Sequence, residues 1–242
     1  MFLTLFLAAA AVPAMGAIIN QELLVKTIDS NYSGISSYSL VVSLKDSDLS
    51  LRIWHHNSQW RQEWVKTSEQ GQEVVAVAVG QGQTTLKSLG NPLIGPPLTA
   101  ILFHKSSWWL NAGLDFQVQS YHFFHGRPAL ALGMVLAGDP RPNLWLDNEQ
   151  MVPLRMFFSK KGKRVDLGWL EHRNIGNYKL PHKALLSTEQ EQMSCYLDWR
   201  DINAHYDTRL FSVEALKQSF SGVSLSPPDE VMDFHQILAG LK

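Results

Sequence analysis

At 242 residues, with 45% hydrophobic and only 18% charged side chains, the chain has the length for one large domain or two small ones and enough apolar material for a sizeable core. A formal net charge of −1 argues against the broad basic footprint of nucleic-acid binding. The single cysteine, Cys195, excludes an intramolecular disulfide and a cysteine-based zinc site.

The chain opens on a targeting pattern. Phe2 to Met15 is almost wholly apolar and runs into Ala14-Met15-Gly16, small residues of the kind that precede signal cleavage. The run is shorter than the roughly 20 residues a membrane span takes. No Lys or Arg precedes it, a departure from the usual positive start, and no cysteine follows it that could carry a lipid. The expectation is a signal peptide over residues 1–16 and an exported, soluble protein from near Ala17, one domain over residues 17–242 with a C-terminal helical extension.

A helix is expected from Asn20 to Asn31, with Asn20 as N-cap and Leu23, Leu24, Ile28 and Tyr32 in one stripe. From Ser36 the period becomes two. Tyr38, Leu40, Val42 and Leu44 share a face of one strand, and Leu49, Leu51 and Ile53 a face of the next, joined by the polar turn Lys45-Asp46-Ser47-Asp48. Gln59 to Lys66 puts Trp60 and Trp64 on one face and Arg61 and Glu63 on the other; Glu73 to Val79 and Gln83 to Ser88 read as further strands. Short strands with regular turns indicate a meander in a barrel or sandwich.

Gly90-Asn91-Pro92 and Gly95-Pro96-Pro97 then interrupt the pattern, and Leu98 to Leu110 reads as helix. Strands resume over Phe116 to Phe124 and Ala129 to Val135, separated by His125-Gly126-Arg127-Pro128. Asn143 to Arg173 is the clearest stretch, three antiparallel strands around two polar turns. Leu144 and Leu146 share one parity, as do Leu154, Met156 and Phe158, and then Val165, Leu167 and Trp169. The opposite face is mixed, with Arg155 and Asp166 beside Trp145, Phe157 and Leu170. Tyr178 to Leu180, next to Pro181, suits an edge segment, and Gln190 to Asp201 a last long strand that buries Cys195 in the run Met193-Cys195-Leu197-Trp199. Leu210 to Phe220 suits a turn of helix. Asp229 to Leu241 suits a terminal helix with Val231, Phe234, Ile237, Leu238 and Leu241 in a stripe.

Catalytic patterns are missing. There is no Gly-x-Ser-x-Gly, no phosphate-cradling glycine loop and no His-Glu-x-x-His. Nine histidines invite a metal site, with His55-His56 and His122/His125 the nearest pairs, but His122 and His125 need not converge, and exposed or hydrogen-bonded histidines are the favoured reading. The basic turn Lys160-Lys161-Gly162-Lys163-Arg164 reads as a solvated hairpin tip. No cofactor, metal or enzymatic role is expected. The fold class is mainly β, with an apolar sheet face that must be covered by helices, a second sheet or a ligand.

The order of elements resembles the periplasmic lipoprotein-carrier superfamily, with its LolA-like carriers, LppX-like lipid-binding proteins and RseB-type envelope sensors. The matching stretches are LRIWHHNSQWRQEW (Leu51 to Trp64), NLWLDNEQMVPLRMFF (Asn143 to Phe158) and NYKLPH (Asn177 to His182). The resemblance implies an open antiparallel barrel, a half-pipe, closed by helices over a cavity for lipid or lipoprotein acyl chains. On that reading Leu40, Val42, Leu51, Ile53, Trp60, Trp64, Leu144, Leu146, Leu154, Met156 and Phe158 line the cavity. The arginine that holds the helical lid in the carriers falls near His56, with Arg61 the nearby substitute. The implied partners are an inner-membrane donor and an outer-membrane acceptor, in the periplasm. An envelope sensor that regulates a membrane partner, and an exported enzyme with scattered site residues, are the competing readings.

Overall fold

The structure, a computed structural model, describes residues 18–90, 99–103, 105–136, 141–160, 163–188 and 192–239. The signal-peptide expectation, the two proline-containing turns after Gly90, Leu98, Leu241 and the tip of the basic turn lie outside them. Helix α1 is Gln21–Ser30, capped by the Asn20 side chain, which accepts from the amides of Glu22 and Leu23. Five strands follow: β1 Ser37–Leu44, β2 Leu49–His56, β3 Gln59–Ser68, β4 Gly71–Gln81 and β5 Thr84–Leu89. The helix expected from Leu98 to Leu110 is two pieces, α2 Thr99–Leu102 and α3 Ser106–Asn111, broken where Lys105 is extended at ψ 159°.

The second meander runs β6 Gln119–Phe124, β7 Arg127–Leu132, β8 Asn143–Asp147, β9 Pro153–Lys160 and β10 Lys163–Leu170. The β6–β7 turn is His125-Gly126, both at positive φ (48° and 79°), a two-residue link whose twist suits a hairpin; Arg127 and Pro128 already belong to β7. A small separate hairpin, β11 Arg173–Ile175 and β12 Tyr178–Leu180, holds the segment next to Pro181. Strand β13, Lys183–Ser187, was not anticipated, and β14 is Gln192–Arg200. The chain ends in a 3-10 turn at Thr208–Phe211 and helices α4 Val213–Ser219 and α5 Asp229–Ala239.

Twelve strands form one antiparallel sheet in the order β5-β4-β3-β2-β1-β14-β13-β10-β9-β8-β7-β6. Strands β5 and β6 end it without pairing to each other, so the barrel stays open, as the fold class anticipates. The inner residues of both halves fall into one contiguous buried cluster. The sheet must therefore curl around its covering helices.

Two parity expectations fail, for identifiable reasons. Leu144 pairs with Met156 and Trp145 with Arg155, but Leu146 pairs with Pro153, so Leu154 is an extra residue in a β-bulge. The bulge turns Leu154 to the outer face, where it packs with Ala129, Ala131 and Trp145. Leu154 therefore does not line the inner face with Met156. In α1, Leu24 is 1% exposed but Leu23 is 58% exposed, because a ten-residue helix lying on a sheet buries a narrower stripe than the one drawn from spacing.

Burial leaves three histidines, His55, His172 and His182, with uncompensated nitrogens, and the first two are shifted furthest. His55 Nδ1 and His172 Nε2 have no partner, and burial first, then a neighbouring charge, lowers each imidazole to about 4. Unfolded, each returns to the ordinary value of 6.5. The unfolded chain therefore takes up protons first on acidification, so this contribution is complete above about pH 6.5 and is lost as pH falls towards 4. The urea midpoint should be flat between about pH 7 and 8 and fall steadily from about pH 6.5 downwards. A midpoint still unchanged near pH 4.5 would contradict the burial of both rings.

Candidate functional site

Cross-strand register builds the inner face as rows. Ala76, Trp64, Leu51, Val42 and Leu197 stand opposite one another on β4, β3, β2, β1 and β14. Leu186, Leu167, Met156, Leu144 and Leu132 do the same on β13, β10, β9, β8 and β7. Direct pairs of this kind are the unit of sheet stabilisation. Of the residues expected to line a cavity, Leu40, Val42, Leu51, Ile53, Trp60, Trp64, Leu144, Leu146 and Met156 are each at most 1% exposed and belong to this face. Phe158 packs against it while partly buried. Trp60 lies across Gly80 in register, where an added Cβ would come within 2.0 Å of the indole.

Separate helical pieces supply the cover. Leu24 and Ile28 from α1, Tyr32 from the turn after it, Leu102 from α2, Trp109 from α3 and Val231 and Phe234 from α5 all join the same cluster. A carboxylate ties two of these pieces together: Asp29 on α1 accepts from the Ser106 amide (2.6 Å) and hydroxyl (2.9 Å) at the start of α3. On α5, His235 Nε2 accepts from the Trp64 indole N–H at 2.8 Å.

The expected latch residues are elsewhere. Arg61 is buried, pairs with Glu63 (2.5 Å) and donates to the Leu210 carbonyl at 3.2 Å; His56 lies 6.2 Å from the Phe211 ring. Trp60 points inwards, so alternation sends Arg61 to the outer face, and His56 follows the same rule beside inward His55. Both residues attach the turn Thr208–Phe211 to the outer face of the sheet, and the lid tie is Asp29. Alternation also separates His55 from His56, so that pair cannot converge on a metal. His122 stacks on Trp145 at 4.8 Å and His125 on the edge of Phe124 at 4.6 Å. Among the described residues no group of three or more potential metal ligands is gathered. Burial pushes the Cys195 thiol up to about 12, so it stays a protonated core group.

The inner face also carries polar groups that spacing did not single out as a set. Tyr38 Oη and Thr99 Oγ1 are 2.5 Å apart, His55 stacks on Tyr38 at 4.9 Å, and Gln62 is 1% exposed. Strict alternation along β1, β2 and β3 was the signal that could have placed Tyr38, His55 and Gln62 on one face.

No family model and no curated protein matches the sequence. Solved structures give likenesses at low identity over most of the chain. A LolA superfamily protein from Nitrosomonas europaea is 13% identical over 81% of this chain and 99% of its own, with a TM-score of 0.49. A DUF1329 family protein from Desulfovibrio piger is 12% identical over 81% and 97%, with a TM-score of 0.44. The lipoprotein LppX of Mycobacterium tuberculosis is 11% identical over 78% and 99%, with a TM-score of 0.29. LolA and LppX are also the groups that the order of elements resembles. Scores this low say nothing of what the chain binds.

Two variants test the assignment of the ties. Arg61→Ala leaves Glu63 buried without its partner and should cost about 3 kcal/mol, with faster amide exchange over residues 208–219 and none over 21–30. Faster exchange in α1 would restore Arg61 as the lid latch. Asp29→Ala should cost about 2 kcal/mol, the scale of lost hydrogen bonds to a charged acceptor. Its faster exchange should fall in α1 and α3; exchange unchanged in both would dismiss the tie.

Proposed function

We propose that the chain takes up an acyl chain of a lipid or lipoprotein between its inner sheet face and the helices that cover it. In this reading it is a carrier, working in the periplasm between an inner-membrane donor and an outer-membrane acceptor, without catalysis or cofactor. The observation that supports it is the pair of apolar rows across an open twelve-stranded sheet, covered by short helical pieces and the small β11–β12 hairpin. A sheet built only for stability has no need of a cover made of separable parts.

The energetics favour exchange over permanent occupancy. Each buried methylene is worth roughly 0.8 kcal/mol, so about 14 methylenes gain roughly 11 kcal/mol. That gain is offset, because the inner residues are already buried against Leu24, Ile28, Leu102, Trp109, Val231 and Phe234. An incoming chain displaces those side chains, and only the difference remains as affinity. Loading is then reversible, as carriage requires.

A fluorescent fatty-acyl probe should bind the wild-type protein and be displaced by unlabelled fatty acid. Met156, 0% exposed at the centre of the second row, is the place to disturb it. Met156→Glu puts an unpaired carboxylate there, at a cost of several kcal/mol; it should abolish probe binding and lower the unfolding midpoint, whereas Met156→Leu should do neither. A wild-type protein that binds no probe at tens of micromolar sinks the reading. Its location is tested separately, by N-terminal sequencing of the native protein: a start near Ala17 in the soluble envelope fraction supports export, and intact Met1 in the cytoplasm refutes it.

A further inference from the structure

The inner face is chemically divided, and the division assigns an orientation to its ligand. Across β13, β10, β9, β8 and β7 the row Leu186, Leu167, Met156, Leu144 and Leu132 contains no polar atom beyond the thioether. Across β1, β2 and β3 the row nearest the C-terminal end of β14 is Tyr38, His55 and Trp60, and Gln62 stands two residues further along β3 on the same face. Thr99 of α2 is 3% exposed and closes over Tyr38.

This polar end has unused hydrogen-bonding capacity. Tyr38 and Thr99 carry two hydroxyl protons between them; one closes their mutual bond, and no acceptor for the other is found among the described residues. His55 Nδ1 is buried without a partner, and burial keeps the ring neutral at pH 7. Buried polar atoms without partners are uncommon in folded proteins. Here one such atom, His55 Nδ1, belongs to a ring stacked on Tyr38, whose hydroxyl pair with Thr99 has one proton to spare.

The same end is nearest an opening. A cavity of about 190 Å3 between α1 and the α2–α3 segment is bounded by Ile28, Tyr32, Ile35 and Phe103. The Phe103 ring borders that cavity and also packs edge-on against Tyr38 (5.4 Å) and Trp199 (5.9 Å). The Leu/Met row meets β14 at Met193, whereas Tyr38 lies beyond the Ser39–Arg200 pair at the other end of that strand, so the polar groups and the apolar row occupy different ends of the inner face.

We propose that Tyr38, Thr99 and His55 form a subsite for the ester or amide carbonyl of an acyl ligand, so that the protein selects acylated molecules over hydrocarbon tails as such. The carbonyl oxygen accepts from the free hydroxyl proton and from the imidazole, and the tail runs from there towards the apolar row. This rests on the acyl-binding reading above.

The test compares two ligands that differ only in the carbonyl: 1-monopalmitoylglycerol and its ether counterpart 1-O-hexadecylglycerol, each competing with the fluorescent acyl probe. Wild type should prefer the ester about tenfold, the discrimination one buried hydrogen bond supplies. Tyr38→Phe and His55→Phe, which keep the ring stack, should each bring the ester-to-ether affinity ratio close to one. Equal wild-type affinity for ester and ether, or a preference that survives both substitutions, overturns the subsite and leaves acyl binding standing. A wild-type protein that binds neither ligand overturns both.

Discussion

Everything in this molecule depends on the pairing of the first strand with the last. β1 meets β14 in register from Ser39 with Arg200 to Leu44 with Cys195, more than 150 residues apart in sequence. Without it the chain is two independent meanders, each with one apolar face and no partner for it. With it the row through Trp64, Leu51, Val42 and Leu197 crosses the midline, and β13 carries the sheet on into the second meander. Loop-closure entropy makes such long-range pairing slow to form. Its reward is a single sheet wide enough to curl around separate helices.

The two faces of that sheet are covered in different ways. On the outside, Leu216 of α4 packs on Val77 and Val79, and Arg61 and Glu63 hold the preceding turn. Further along, Trp145 is sandwiched by His122 and by the Arg155 guanidinium, which also grips Asp166. These are local contacts between side chains that are close in the sheet. On the inside, each helix contributes only one or two fully buried apolar side chains, and the polar ties between helix and helix or helix and strand are few: Asp29 to Ser106, Tyr38 to Thr99 and Trp64 to His235. Elements held by few contacts open at lower free energy than the sheet beneath them. The outer face is thus held by many local contacts and the inner cover by few.

Much of this was legible in period-two alternation. Tyr38 to Leu44, Leu49 to Ile53 and the Asn143–Arg173 stretch gave strand, face and fold class directly, because one face of each is uniformly apolar. Three features were not legible. The bulge at Pro153-Leu154 moves one leucine to the other face, and nothing in the local composition marks an inserted residue. Strand β13 is only five residues and its outer positions are as mixed as a loop's. The roles given to His56 and Arg61 came from a family pattern; alternation from Trp60 already placed Arg61 outside, and the structure follows alternation.

The residues that resisted a sequence reading are also those with chemistry left over. Tyr38 and His55 each look ordinary in their own strand, one an aromatic in a β-branched run and the other half of a histidine pair. Register brings them face to face at 4.9 Å, and the covering helix adds Thr99 from a segment 61 positions beyond Tyr38. A buried polar cluster assembled from three elements cannot be seen in any one of them. Nor does stability explain it: leucine or phenylalanine at these positions would satisfy the core without leaving a nitrogen and a hydroxyl proton unmatched.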